Sequence, residues 1–307
     1  MNQKRIGLAR LTAAMLIFGT IGIFRKYINL PSSMLAMVRG VIGALFLFLI
    51  FAIKKQRLDV AKIKKHAPTL LLSGAFIGLN WILLFEAYRF TTVAIATVCY
   101  YMAPVLVILF SSILFREKMT VKKVVCVLAA LLGACLVSNV FERGAQTADH
   151  TAGILLALGA AVLYASVVLL NKHITGIPPL DKTTVQLSAA GLVMLPYLLL
   201  TEDLTALDYT PTSLVLMLVV AILHTGIAYL LYFSSIERLP AQTVAIFSYI
   251  DPVVAIVFSA ILFRERMSPM GILGAILILG ATLCAELSIE KQKNKNQGSK
   301  AAKSVDN

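Results

Sequence analysis

The chain has 307 residues, of which 59% are hydrophobic and only 14% are charged, and its formal net charge is +13. The mean hydropathy of +0.86 lies far above that of water-soluble globular domains. This composition excludes a soluble globular domain, and with it the nucleic-acid binding that such a positive charge would otherwise suggest.

Charge-poor apolar runs recur along almost the whole sequence. A membrane-spanning helix needs about 20 mostly apolar residues, and on this basis we predict an all-α integral membrane protein with ten transmembrane helices. The first run is too long for the apolar core of a signal peptide, so we interpret it as retained. The predicted spans are 7–27, 33–53, 67–88, 93–115, 121–139, 152–172, 183–201, 212–236, 241–263 and 269–288.

The second, third and fourth spans carry polar and aromatic side chains that a lipid-facing helix does not need. Arg39 is the only basic residue well inside a span. It either extends its charged group to the membrane interface, forms an ion pair with a carboxylate, or recognises an anionic group of a substrate. Asn80 and Trp81 in the third span, and Tyr100 and Tyr101 in the fourth, combine aromatic surface with hydrogen-bonding groups. Such side chains suit a pocket for an organic substrate, and packing between helices is the alternative.

The eighth and ninth spans carry the remaining site candidates. His224 lies near the middle of the eighth span, where a neutral imidazole is tolerated, and a pairing with Asp251 is one interpretation. Asp251 lies about halfway along the ninth span, where a carboxylate costs about 2.5 to 3.5 kcal/mol on insertion scales. We predict a role in substrate binding or proton coupling; the alternative is capping of backbone groups freed by the adjacent Pro252. Further candidates on these spans are Tyr229, Tyr232 and Ser248.

Charged residues at the ends of the spans have a simpler interpretation. Glu86 and Arg89 lie near the end of the third span, and Glu117 and Glu265 lie beside basic residues after the fourth and ninth spans. We predict salt bridges at the membrane interface for these residues. A GxxxG pattern at 74–78 predicts close packing of the third span against another helix.

The final residues and the cysteines have no predicted role in binding. Residues 289–307 are rich in Lys, Asn, Gln and Ser, which predicts a disordered basic tail that can lie on anionic lipid. Cys99, Cys126, Cys135 and Cys284 all fall inside spans without CxxC spacing. We therefore predict no disulfide framework, no metal site and no bound cofactor.

The chain contains an internal repeat. Residues 101–120 (YMAPVLVILFSSILFREKMT) align with residues 249–268 (YIDPVVAIVFSAILFRERMS), 148 positions later, with twelve of twenty positions identical. Asp251 corresponds to Ala103 in this alignment, so the carboxylate occurs in one half only. The predicted domains are accordingly a first five-helix repeat (1–139), a connection (140–151) and a second five-helix repeat (152–288).

The number of spans in each half predicts how the two halves enter the membrane. Because five is an odd number, the second half must enter with the opposite orientation, and the repeat is inverted. Counting Lys and Arg places 21 of 28 at the ends predicted to be cytoplasmic. This excess predicts that both termini are cytoplasmic and that the 140–151 connection is external.

Ten spans, two five-helix halves and the proline-containing segments ending in ILFREK and ILFRER resemble the EamA-type family of the drug/metabolite transporter superfamily. The resemblance covers nearly the whole chain. It implies a central cavity between the halves, lined mainly by the first, third, fourth, sixth, eighth and ninth spans, and no ATP-driven domain. It does not imply a substrate, and no binding residue is carried over by position.

Inverted repeats are typical of transporters, because two interconverting arrangements of equivalent halves open a central site to each side in turn. We expect a secondary active transporter in the cell membrane that exports small metabolites, amino acids or drugs. Its expected partners are a small organic substrate, membrane lipid and a proton, with a homodimer as one possible assembly. The nearest alternative is proton-coupled import of an organic nutrient. A membrane-embedded enzyme, for which the spans show no HExxH or GxSxG motif, and a channel or sensory scaffold are alternatives of another class.

Overall fold

The computed structural model of the chain describes a helical protein. It covers residues 3–56, 58–114, 119–137, 148–236, 239, 247–265, 267–281, 283, 284 and 287. Within these residues there is no β-strand, which confirms the predicted all-α class. The helices in chain order are α1 (Gln3–Gly19), α2 (Ile21–Lys26), α3 (Ser32–Ile53), α4 (Val60–Lys65), α5 (Ala67–Phe90), α6 (Val93–Tyr100), α7 (Ala103–Leu114), α8 (Val121–Val137), α9 (Ala148–His173), α10 (Pro179–Thr201), α11 (Pro211–Val219), a π-helix (Val220–Ile227), α12 (Ala228–Ile236), α13 (Ile250–Leu262) and α14 (Pro269–Ala281).

Among the described residues, seven helical segments are long and apolar enough to cross a membrane. They correspond to the first four and to the sixth, seventh and eighth predicted spans. The fifth, ninth and tenth predicted spans correspond to α8, α13 and α14, whose described parts are shorter. The count of ten spans therefore stays a prediction. The predicted tail (289–307), Glu117 and most of the predicted connection (140–151) lie outside the described residues.

Three of the long segments are interrupted, two of them at residues with a local reason to break the helix. α1 and α2 meet at Thr20, whose hydroxyl donates to the carbonyl oxygen of Ile17 at 2.7 Å. α6 and α7 are separated by a turn just before Pro104, which lacks the N–H that a continuous helix would use. The eighth span widens into the π-helix, a rare form found mostly at functional sites. These breaks direct polar groups toward the interior of the bundle.

The helices of the two halves pack in equivalent pairs. α5 packs on α9 as α1 packs on α12, and α5 packs on α10 as α3 packs on the π-helix. Residue contacts repeat at the same spacing of 148 positions. A Cβ atom added at Gly78 would lie 2.8 Å from Met194 Cγ, and one added at Gly226 would lie 2.7 Å from Phe46 Cγ. The sequence repeat is therefore also a repeat of helix packing.

The GxxxG pattern of α5 contacts α10, as predicted for a close helix interface. A Cβ atom at Gly74 would lie 2.5 Å from Ala189 Cβ, so only hydrogen fits there. In contrast, leucines and isoleucines on the outward helix faces are exposed, among them Leu45, Leu200 and Ile261. Such extensive apolar exposure is what contact with lipid requires.

Candidate substrate and coupling site

Asp251 lies at the start of α13 and meets the break between α6 and α7. The hydroxyl of Tyr101 lies 3.0 Å from Asp251 Oδ2 and 3.2 Å from the carbonyl oxygen of Ser248. The rings of Tyr100 and Tyr249 flank Tyr101, with centroids 6.3 Å and 6.0 Å away. Four sequence-predicted candidates from the two predicted halves thus form one cluster, although Ser248 contributes its backbone carbonyl to this contact.

Arg39 is the centre of a second cluster. Its guanidinium Nε donates to the hydroxyl of Thr225 in the π-helix at 3.0 Å. The Cζ atom lies 4.1 Å from the centroid of the Trp81 ring and 5.2 Å from that of Phe85. These distances are typical of cation–π contacts. The side chain of Tyr229 is also close enough to interact electrostatically with the guanidinium.

The structure contradicts one sequence interpretation of Arg39 and gives no support to another. Only 4% of Arg39 is exposed, so the side chain does not snorkel to the surface of the bundle. Within the described residues no carboxylate lies in salt-bridge distance of it. The charge is held instead by aromatic faces and one hydroxyl, because α3, α5 and the π-helix converge around it.

Asn80 and Tyr100 connect the third and fourth spans to the sixth. The amide nitrogen of Asn80 donates to the carbonyl oxygen of Ala160 in α9 at 2.5 Å. The Tyr100 ring packs against Tyr164 of α9, with centroids 5.8 Å apart. Asn80 and Tyr100 therefore both position their helices against α9.

His224 does not pair with Asp251. It is fully buried in the π-helix, its Nε2 lies 3.0 Å from the Thr20 hydroxyl, and its ring packs on Phe24 at 4.9 Å. The Thr20 hydroxyl and the imidazole Nε2 share a hydrogen bond whose donor is set by the His224 tautomer. His224 thus joins the π-helix to the break between α1 and α2.

The structure separates Tyr229 from Tyr232. Phe18 contacts both rings, at 5.6 Å and 6.4 Å. Tyr229 continues toward Arg39, whereas Tyr232 packs on a separate apolar cluster that includes Leu11 and Met15. Tyr232 is therefore a packing residue between α1 and α12 in this arrangement, because the helix turns it away from the other candidates.

Charged residues join several helices at the end of the bundle where α2 stops. We name this region the Lys26 end. Lys26 Nζ lies 3.4 Å from Glu265 Oε1 and donates to the carbonyl oxygen of Thr91. Glu265 in turn accepts from the backbone N–H of Val93, at the start of α6, and from the hydroxyl of Ser259. This network connects helices from both predicted halves.

A second set of charges at the Lys26 end surrounds Glu86. It lies 3.0 Å from Arg89 and 3.8 Å from Arg25. A cavity of about 300 Å³ opens here and is lined by Arg25, Lys26, Ile28, Asn29, Tyr88 and Arg89. The predicted salt bridges of Glu86 and Glu265 are confirmed. The surface of the cavity is basic, since three of its six lining residues are cationic.

Sequence reasoning missed Tyr88 and Thr20 as parts of the site. Tyr88 lines the cavity, bonds to the Thr97 hydroxyl at 3.3 Å, and interacts electrostatically with both Asp251 and Arg39. The repeat carried a usable signal, because Trp81 and Tyr229 stand 148 positions apart and both approach Arg39. The hydrogen bond of the Thr20 hydroxyl to another helix could not be predicted from the sequence. Ser and Thr in apolar helices most often bond to their own backbone.

The sequence matches a known protein family over most of its length. The model of the EamA-like transporter family matches residues 5–139 and 151–286. The chain is 32% identical over 277 residues to the "Uncharacterized transporter YxxF" of Bacillus subtilis (strain 168), covering 90% of this chain and 88% of that protein. It is 28% identical over 219 residues to "Protein PecM" of Dickeya dadantii, covering 70% and 72%.

Two further similarities are more limited. Over 133 residues the chain is 27% identical to the "Pseudopaline exporter CntI" of Pseudomonas aeruginosa, covering 43% of this chain and 45% of that protein. A crystal structure of another protein superposes with a TM-score of 0.62 over 94% of this chain and 98% of that one. Its sequence identity is 19%, so this likeness concerns the fold alone.

Proposed function

Because the chain belongs to the EamA-like transporter family, and is therefore a multi-pass membrane transporter and not an enzyme, we propose that it is a secondary active exporter of small organic compounds. In this proposal ten helices form two inverted five-helix repeats, 1–139 and 152–288, in the cytoplasmic membrane. Both termini are cytoplasmic, and transport proceeds by alternating access. The bound partners are the substrate, membrane lipid and a proton.

The equivalent packing of the two halves carries the proposal. Gly78 meets Met194 as Gly226 meets Phe46, and the helix pairs that they join are exchanged by the repeat. When two such halves are not identical in conformation, exchanging their conformations produces a second state that is open to the opposite side. This arrangement favours a transporter over a channel or a scaffold, which need only one arrangement of the halves.

The two clusters supply the binding and coupling functions. Asp251 has no counterpart in the first half, where Ala103 takes its place. We assign proton coupling to Asp251, whose carboxyl group exchanges its hydrogen-bond partner Tyr101 for water or substrate as the halves move. Arg39, Trp81, Tyr100 and Tyr229 face substrate in this scheme, while Asn80, His224, Tyr232 and Ser248 hold the helices that carry them.

Export is the direction that we favour over import. One relative that aligns with part of the chain is named as an exporter. The excess of Lys and Arg at the opposite end of the spans supports an external location for the Lys26 end. The membrane potential contributes about 2.3 kcal/mol per charge per 100 mV to such transport.

The experiment compares small molecules in the medium and cytosol of matched cells that make the wild-type protein, Asp251→Asn, or neither. We expect compounds enriched outside only with the wild type, and loss of that enrichment at equal membrane abundance in Asp251→Asn. Asp208→Asn, which changes an exposed loop aspartate, is the matched control and should behave as wild type. Depletion of compounds from the medium would establish import instead. Enrichment by Asp251→Asn at the wild-type level would refute the coupling role.

A further inference from the structure

The guanidinium of Arg39 is buried without a countercharge. Its Nε bonds to Thr225, but in the part of the chain that the structure describes its two terminal NH2 groups have no hydrogen-bond acceptor. A buried cation is costly unless it is paired, and cation–π contacts with Trp81 and Phe85 offset only part of that cost. An apolar residue at this position would pack the helices without the cost of a buried charge. Packing therefore does not explain why position 39 is an arginine.

The guanidinium is also held in a fixed orientation. Thr225 binds one edge through Nε, and Trp81 lies 4.1 Å away. The Nε bond does not use the terminal NH2 groups, whose geometry suits a planar partner with two oxygen atoms. A carboxylate matches that geometry with two parallel hydrogen bonds. The surrounding rings of Tyr88, Tyr100 and Tyr229 supply apolar surface for the remainder of such a molecule.

A cavity of matching charge is lined by a residue that also lies near Arg39. The basic cavity at the Lys26 end is lined by Arg25, Lys26, Arg89 and Tyr88. Tyr88 is near enough to Arg39 to be influenced by its charge. A cavity of one sign of charge concentrates ligands of the opposite sign. The cavity and the buried guanidinium are separate observations, and both favour an anion.

We propose that Arg39 is the recognition site for the carboxylate of a small organic anion, whose apolar body packs on Trp81 and the neighbouring tyrosines. The assignment rests on the proposed transport function, since it names the substrate class of the same site. A carboxylate bound there is neutralised by Arg39, which leaves Asp251 free to carry the coupling proton.

The only tryptophan of the chain makes the test direct. Because Trp81 contacts Arg39, its fluorescence reports on this site and on no other. Purified protein in lipid nanodiscs is titrated with 3-phenylpropionate and with its uncharged isostere 3-phenylpropionamide. We expect saturable fluorescence changes and at least about a tenfold preference for the carboxylate, as charge-assisted bidentate bonds provide. Arg39→Gln should abolish the preference, and Arg39→Lys, which keeps the charge but not the planar fork, should reduce it.

The controls separate this assignment from folding and from transport. Lys54→Gln removes an exposed cation that does not line the cavity and should keep the preference. Gel filtration checks that each variant is folded, and Arg39→Lys provides the comparison if Arg39→Gln does not fold. Equal binding of acid and amide by the wild type, or a preference that survives in Arg39→Gln, overturns the assignment. Export of neutral or cationic compounds without this preference would refute the assignment and leave transport intact.

Discussion

The ion pair of Lys26 and Glu265 is expected to hold the bundle closed at the Lys26 end, which is external in the proposed topology. At a separation of 3.4 Å the gross attraction is about 5 kcal/mol for an effective dielectric constant of about 20. The side chains are 27% and 15% exposed, so solvent and the cost of fixing them reduce the net contribution to about 1 kcal/mol. Replacing Glu265 by Gln should therefore raise the population open to this side about fivefold.

The labelling rate of a buried cavity residue measures how often this end opens. Ile28 lines the cavity and is almost fully buried, so Ile28→Cys, in a chain whose four native cysteines are replaced, reacts slowly with a membrane-impermeant maleimide. We expect Glu265→Gln to increase its labelling rate in intact cells about fivefold. The charge reversal that combines Lys26→Glu with Glu265→Lys should return the rate toward its starting value.

A matched control lies within one helix. Arg89 pairs with Glu86 at 3.0 Å, but both residues belong to α5, and Arg89 is 58% exposed. Arg89→Gln should leave the labelling rate unchanged, because that pair does not connect helices that separate. An unchanged rate in Glu265→Gln, or an equal increase in Arg89→Gln, would show that the ion pair does not close this end.

Three further outcomes follow from the packing and the hydrogen bonds. Gly133→Ala places a methyl group 2.7 Å from a carbonyl oxygen of α14 and should destabilise the fold by about 1–3 kcal/mol, whereas Gly280→Ala, with no atom within 4 Å of the new methyl group, should leave the thermal midpoint unchanged. Thr20→Val removes the partner of the buried His224 imidazole and should cost about 1–3 kcal/mol in thermal unfolding, with Thr20→Ser as the tolerated control. Tyr101→Phe should lower the rate of uphill transport about tenfold, through loss of a hydrogen bond to a carboxylate; a wild-type rate would contradict the role of this contact.

The periodic and compositional features of the fold could be predicted because each depends on local sequence. Apolar run length predicted the helices that now extend through α3, α5 and α10, since a bilayer allows few other structures. The repeat between 101–120 and 249–268 predicted that the halves are equivalent, and the structure adds that their contacts are equivalent too. The breaks in the helices are harder to predict from the sequence. Pro104 lies beside one of them, whereas the π-helix contains no proline and no glycine before Gly226.

The candidate residues were recognisable by type, but their partners were not. Asp251 was singled out because a carboxylate within an apolar run has a cost, and that argument needs no structure. Its contact with Tyr101 joins residues 150 positions apart. Likewise, Arg39 meets Thr225 over 186 positions, and His224 meets Thr20 over 204. No periodicity encodes such distances along the chain.

The sequence by itself thus determined that the chain is an all-helical membrane protein with a duplicated architecture, because hydropathy and repetition are properties of the chain alone. Only the tertiary structure decided which polar groups meet. It placed the Arg39 guanidinium on Trp81 instead of on a carboxylate, and it turned His224 toward Thr20 instead of toward Asp251. The physical reason is that a buried charge or imidazole takes whichever partner the converging helices bring within about 3 Å, and that convergence is set by packing across the whole bundle.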